Sequence, residues 1–350
     1  MNEQERDRLI GLIVNHVADY RQGEIDRVDN AHVLSWLEQF EERDQPIILS
    51  EIERILGKTY ISRASAKRFI ERLAANDKLA SATPNEFWKT IGFLRLQTRS
   101  RSQTDMLSLL NEVLKEKFDL SISSEKSSSN TFVYLDDVSF GGNQIKNDLI
   151  GWARDQKIKD ATIHAILIGI HTYGEYYAKR ELGTEFKARN ITLKVWASAR
   201  IENSPGRIKD AAVLWPTKLP DDEFVKKWEA SLAPHKDYFK ARTPGGAAST
   251  QLFSSEQNRE VVEQAFLKKG AYIFSLSQNP QASMRPLGYS ALRAGFGATL
   301  ITYRNCPNNA PLVLWWGDPK GNSPLNRWTP LLQRRPRKAD PGAALNEADF

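Results

Sequence analysis

The chain has 350 residues, 41% hydrophobic and 26% charged, with a net charge of +6. This is the composition of a globular protein long enough for two domains, and it excludes a low-complexity or collagen-like chain. A single cysteine, Cys306, excludes internal disulfides and cysteine-based zinc clusters and points to a reducing compartment, the cytoplasm.

Leu9, Ile10, Ile13, Val14 and Val17 fall at helical spacing within residues 4–20, a charged amphipathic pattern unlike a signal peptide. Asp29 and Asn30 cap a second helix with Val33, Leu34, Trp36, Leu37 and Phe40 on its apolar side. Ile47–Ser50 leads into a third helix carrying Ile52, Ile55 and Leu56, which Gly57 is expected to end. Ser62 or Ser65 caps a fourth, with Phe69, Ile70 and Leu73 apolar and Lys67, Arg68 and Arg72 basic. Three short helices, a turn and a basic helix resemble a helix-turn-helix or winged-helix module. Residues 62–73 are thus a candidate DNA contact; the alternative is a helical cap packed on the rest of the chain or on a partner. Pro84 marks the expected boundary, giving a module of residues 1–84.

Ile91–Leu96 reads as a strand entering the main domain, residues 85–333. Arg99, Arg101 and Ser102 form a basic, serine-containing loop before a helix with Met106, Leu107, Leu110 and Leu114. Such a loop either binds an anion or is simply solvated. Ser121–Asn130 reads as a polar surface loop.

Phe132, Val133, Tyr134 and Leu135 make a short apolar run, the pattern of a buried strand. The run ends in two adjacent carboxylates, Asp136 and Asp137. A loop with Gly141 and Gly142 follows, then a helix-compatible segment, Asn143–Arg154. In open α/β sheets, ligands bind beyond the carboxyl ends of the strands. Glycines permit close backbone approach, and free amides at a helix start favour phosphate. Two carboxylates can accept hydrogen bonds from vicinal ribose hydroxyls or help hold a divalent cation. The glycine fingerprints of dinucleotide folds and P-loops are missing. Adjacent aspartates after a strand also occur in response regulators, in haloacid-dehalogenase-type phosphatases and as surface charge. A receiver reading needs a lysine at the end of a later strand, and Lys194 lies within one.

Ile163–Ile170 is the clearest buried strand, followed by a loop, His171–Glu175, a helix over Tyr176–Leu182 and a third strand, Ile191–Ala197. Strands and helices alternating in this way make a parallel sheet with neighbouring strands side by side. His171 is either an acid/base group or a loop histidine bonded to backbone.

Residues 198–255 are irregular apart from a helix over Asp222–Ser231, and Thr243–Gly246 suits a lid or partner surface. Glu256–Lys268 reads as a helix, Tyr272–Phe274 as the start of a strand and Thr299–Tyr303 as a strand. In the run Arg304-Asn305-Cys306-Pro307-Asn308-Asn309, the side chains of Arg304, Asn305, Asn308 and Asn309 either bond a base or simply make the turn. Leu312–Trp316 reads as a strand whose tryptophans fill core, and residues 334–350 as a polar, disordered tail. No apolar run approaches the roughly 18 residues of a membrane span.

The hydrophobic strand, acidic pair, glycine loop and helix resemble the phosphoribosyl-diphosphate motif of type I phosphoribosyltransferases. The chain is more similar still to the phosphoribosyltransferase-like proteins of bacterial conflict systems, PRTase-CE, found in retron-type anti-phage loci. That similarity rests on Gly142-Asn143-Gln144 and on the run from Arg304 through Trp316. The resemblance implies a type I phosphoribosyltransferase-like α/β fold, a parallel sheet with flanking helices, preceded by the small, mostly helical, winged-helix-like module. It implies that Asp136 and Asp137 hold the ribose hydroxyls, with Mg²⁺, and that Ser139, Gly141, Gly142, Asn143 and Gln144 hold the phosphate. Arg99, Arg101 and Ser102 would meet pyrophosphate. Two departures stand out: Phe140 replaces a small polar or acidic residue, and Gln144 a phosphate-binding threonine. The implied activity is transfer or cleavage at ribose C1, in an effector governed by a reverse transcriptase and its RNA/DNA complex. The alternative is a component that senses a nucleotide, or binds nucleic acid or the reverse transcriptase, without turnover.

Overall fold

The structure, a computed structural model, describes residues 1–80, 82–97, 101–122, 129–232, 240–246, 252–277, 280–281, 283–290 and 294–334. Arg99, residues 123–128 of the expected surface loop and the tail beyond Arg334 lie outside the described residues. In chain order the elements begin with helices α1 (Glu3–His16), α2 (Asn30–Leu37) and α3 (Gln45–Thr59), strand β1 (Tyr60–Ile61), and helices α4 (Arg63–Ala74), α5 (Asp77–Ala80) and α6 (Pro84–Thr90). They continue with β2 (Gly92–Phe93), α7 (Ser102–Phe118), β3 (Thr131–Ser139), α8 (Asn143–Asp155), β4 (Ala161–His171), α9 (Thr172–Ala188) and β5 (Ile191–Ile201). The last are α10 (Glu223–Ser231), α11 (Glu256–Leu276), β6 (Ile301–Thr302) and α12 (Leu312–Trp315).

The chain divides into two compact units. One is Met1–Ser62 with the described residues from Glu202 onward; the other is Arg63–Ile201. The boundary differs from the one read at residue 84. Pro84 opens α6 inside the second unit, where its fixed φ and missing N–H suit a first helical turn.

The second unit is a parallel α/β sheet in the order β2-β3-β4-β5. β3 and β4 pair from Thr131↔Thr162 to Ser139↔Ile170, and β4 and β5 from Ala161↔Ile191 to His171↔Ile201. The chain places these three strands side by side, as the alternating pattern predicts. Ile163, Ala165, Leu167 and Tyr134 pack against Ile145 and Leu149 of α8 and Ala178, Leu182 and Phe186 of α9. α4 packs on α7, where Lys67 pairs with Glu112 and Glu116 at 2.8 Å each and Arg63 pairs with Glu112. Two of the basic groups in residues 62–73 are therefore engaged within the unit.

In the first unit, the helical N-terminal segment shares one core with the C-terminal part of the chain. Trp36, Phe40, Phe266 and Trp328 form an aromatic cluster with ring centroids 5.1 to 6.2 Å apart. Trp36 and Trp328 both donate their indole N–H to the carbonyl of Val313, at 2.9 and 3.2 Å. The same unit holds a buried ionic network. Glu263 accepts from Arg259 and from the Trp215 amide, while Arg242 reaches Glu263 and Glu256.

Three local expectations are corrected. Tyr272–Phe274 is the last part of α11, and Leu312–Trp315 is a short helix rather than a strand. Short apolar runs fit either period. α3 runs through Gly57 to Thr59, and Gly57 lies close against the His16 ring. Trp315 is core, as read.

Candidate functional site

β3 carries Asp136 and Asp137 at its carboxyl end, and its alternation sends the two side chains to opposite faces of the sheet. Asp136 is buried at 6% exposure. One of its oxygens accepts from the Asp137 amide at 2.8 Å; the other accepts from Gln97 Nε2 at 2.5 Å and lies 3.4 Å from the Tyr134 hydroxyl oxygen. Gln97 is set in place from α7: Gln103 Oε1 accepts the Leu96 and Gln97 amides, and Ser102 Oγ donates to Gln97 Oε1 at 2.8 Å. Tyr134 donates to Asp148 at 2.8 Å, which ties the network to α8. Burial pushes the Asp136 carboxyl up to about 7, and the neighbouring Asp137 charge adds to the rise. Burial, with Asp136 and Asp148 nearby, raises Tyr134 well above its ordinary value, so it keeps its proton and donates.

Asp137 is half-buried, and its Oδ1 accepts from the Val138 amide at 2.7 Å. The loop from Ser139 then leads to Gly142, whose φ of +81° places it in the left-handed region as the N-cap of α8. No side chain caps that helix. Asn143 is the first helical residue and Gln144, exposed, the second. A Cβ on Gly142 would strike the Gly174 carbonyl, and one on Gly174 would strike the Phe140 carbonyl. The loop after β3 and the first turn of α9 are thus held together by glycines; the expected loop His171–Glu175 is instead the end of β4 and the start of α9.

His171 ends β4 fully buried, with its ring 5.1 Å from that of Phe140. Burial pulls its pKa down to about 3, so the imidazole is neutral at neutral pH. Phe140 packs against this histidine.

Ser102 therefore joins Asp136, as part of its hydrogen-bonded support, while Arg101 is exposed just before α7. Arg304, Asn305, Asn308 and Asn309 belong to the other unit. There the Asn309 side chain donates to the Tyr289 carbonyl at 3.0 Å, the Asn308 carbonyl accepts the Tyr289 amide at 2.8 Å, and Asn305 accepts from Arg21. These bonds hold the turn. Gln97, Gln103 and Asp148 were missed in the sequence: each is a single polar residue 12 to 39 positions from Asp136 with no motif of its own.

Among the described residues, no group of three or more His, Cys, Asp or Glu side chains could hold a metal, and no helix is long and apolar enough to cross a membrane. The PRTase-CE family model matches residues 33–334, nearly the whole chain. No curated protein and no solved structure matches it.

Proposed function

The chain belongs to the PRTase-CE family, and on that premise we propose that it binds a ribose-phosphate ligand, phosphoribosyl diphosphate or a nucleotide, at the carboxyl end of β3. The observation that carries this reading is one juxtaposition. The Asp136–Asp137 pair lies in β3 just before its last two residues, Val138 and Ser139, and the first turn of α8 follows the short loop after that strand. Asp137 meets the ribose hydroxyls, and the amides around Gly141 to Gln144 take the phosphate. Asp136, buried with a pKa near 7, supports the pair from within by accepting the Asp137 amide. In the reaction, the bond from C1 to its leaving group breaks as C1 bonds to an acceptor or to water.

Magnesium fits as an ion brought in by the ligand's phosphates, with Asp137 as its protein carboxylate. Both Asp136 oxygens already accept hydrogen bonds, and Mg²⁺ commonly takes one or two carboxylates plus phosphate oxygens. It would neutralise phosphate charge there. The biological setting we propose is that of an effector in a bacterial anti-phage system of retron type, restrained by a reverse transcriptase and its RNA/DNA complex.

A second reading has its own support. His171 is sealed beneath Phe140 and neutral, which favours a site that senses a nucleotide without consuming it. Titration calorimetry with phosphoribosyl diphosphate, ATP and NAD⁺, with and without Mg²⁺, tests both. Binding lost in Asp137→Ala, with the melting temperature unchanged, supports the site; wild-type protein that binds none of them sinks it. Bound ligand that stays intact by mass spectrometry selects the sensing reading.

A further inference from the structure

A helix on a sheet buries one stripe of side chains. In α9 that stripe is Gly174, Ala178, Leu182 and Phe186. A second set, Tyr173, Tyr176, Tyr177 and Arg180, repeats at the same helical spacing on the side away from it. Tyr176 is 57% exposed and Arg180 is exposed, while Tyr173 and Tyr177 are half-buried. Cations lie over these rings: the Arg180 guanidinium is 5.6 Å from the Tyr176 centroid and 5.5 Å from that of Tyr177, and Lys146 of α8 is 5.5 Å from Tyr177. Arg180 also pairs with Glu181. Glu175 is shared by Lys179 and Arg200. Lys146 bonds the Tyr177 hydroxyl and, among the described residues, pairs with no carboxylate. The surface is therefore aromatic with an excess of positive charge.

We propose that this stripe binds single-stranded nucleic acid. Every base has a π-face that stacks on a phenol ring, and interleaved cations meet the phosphates; that combination gives binding with little sequence preference. From Tyr173 to Arg180 the helix rises about 10 Å, room for about three stacked nucleotides. A hydrophobic protein partner would match the rings but not the surplus cations beside them, so charge complementarity selects the polyanion.

The test is fluorescence anisotropy of the full chain with a labelled deoxythymidine strand of about 12 nucleotides, at salt between about 50 and 200 mM. Wild type binds, and more weakly as salt rises. Tyr176→Ala with Tyr177→Ala loses about tenfold or more, whereas Tyr176→Phe with Tyr177→Phe keeps the affinity, a rescue that a folding defect would not give. Arg180→Ala flattens the salt dependence. Wild type that does not bind the strand, or alanine variants that bind it equally, would overturn the proposal. So would a dimer in sedimentation that the tyrosine variants dissociate, since the stripe would then be a protein interface. Asp137→Ala leaves strand binding unchanged, so this result stands or falls apart from the ribose-phosphate site.

Discussion

Gly142 and Gly174 meet so closely that a Cβ on Gly142 would strike the Gly174 carbonyl, although 32 positions separate them. The contact joins the loop after β3 to the start of α9, and Gly142 also holds a left-handed φ of +81°. Gly174→Ala should cost about 1–3 kcal/mol by forcing the loop and the helix apart. Gly142→Ala should cost at least as much, because side-chain and backbone strain combine. Urea denaturation checks both; either variant unfolding at the wild-type midpoint would contradict the tight approach.

Asp136 gives a pH dependence of definite sign. Its carboxyl rises from an ordinary 3.8 to about 7 in the fold, so the folded state prefers the protonated form. Its stabilising contribution is whole below about pH 4 and is lost as pH rises through 7. Asp136→Asn, neutral throughout, should remove that decline and be more stable than wild type at pH 8 by on the order of 2–4 kcal/mol. Parallel stability curves for the two proteins between pH 4 and 8 would refute the assignment.

His171 acts at the other end of the scale. Its pKa falls from 6.5 to about 3 on burial, so the unfolded chain binds the proton first. The stability it contributes is present above pH 6.5 and is lost as pH falls towards 3. His171→Phe should flatten that acid limb while leaving ligand binding intact. A variant that keeps the acid sensitivity and loses ligand binding would instead place the imidazole against the ligand.

Glu263 sits fully buried between Arg259 and Arg242 and also accepts the Trp215 amide at 2.9 Å. Removing one member strands the others: Glu263→Ala should destabilise the protein by about 3–5 kcal/mol. Thermal melting measures it, and a loss under about 1 kcal/mol would mean that the arginines find other partners or water.

Much of the second unit is legible from periodicity. The apolar run through Ile163–Ile170 and the residues before Asp136 are strands because both faces of a parallel sheet are covered, which removes the polar alternation. The runs at Tyr272 and Leu312 carry the same composition yet are helical, and they are too short for a period to tell the two apart. At the candidate site, the acidic pair and the glycine loop are local and can be read. The support of Asp136 cannot, since Gln97 and Ser102 come from another element and nothing in their neighbours marks them. Nor does any pattern reveal that Phe140 packs on His171; that depends on how the loop after β3 meets the end of β4.

The Val313 carbonyl shared by Trp36 and Trp328 has a consequence for synthesis on the ribosome. Helices α1 to α3 emerge first, yet Phe266, Val313 and Trp328, which cover Trp36 and Phe40, lie more than 200 residues downstream. The whole of Arg63–Ile201 is translated in between. That inserted unit can close while the N-terminal helices still wait with Trp36 and Phe40 uncovered. A nascent chain stalled before Val313 would therefore present a finished sheet and an unfinished helical layer, the form a chaperone would hold.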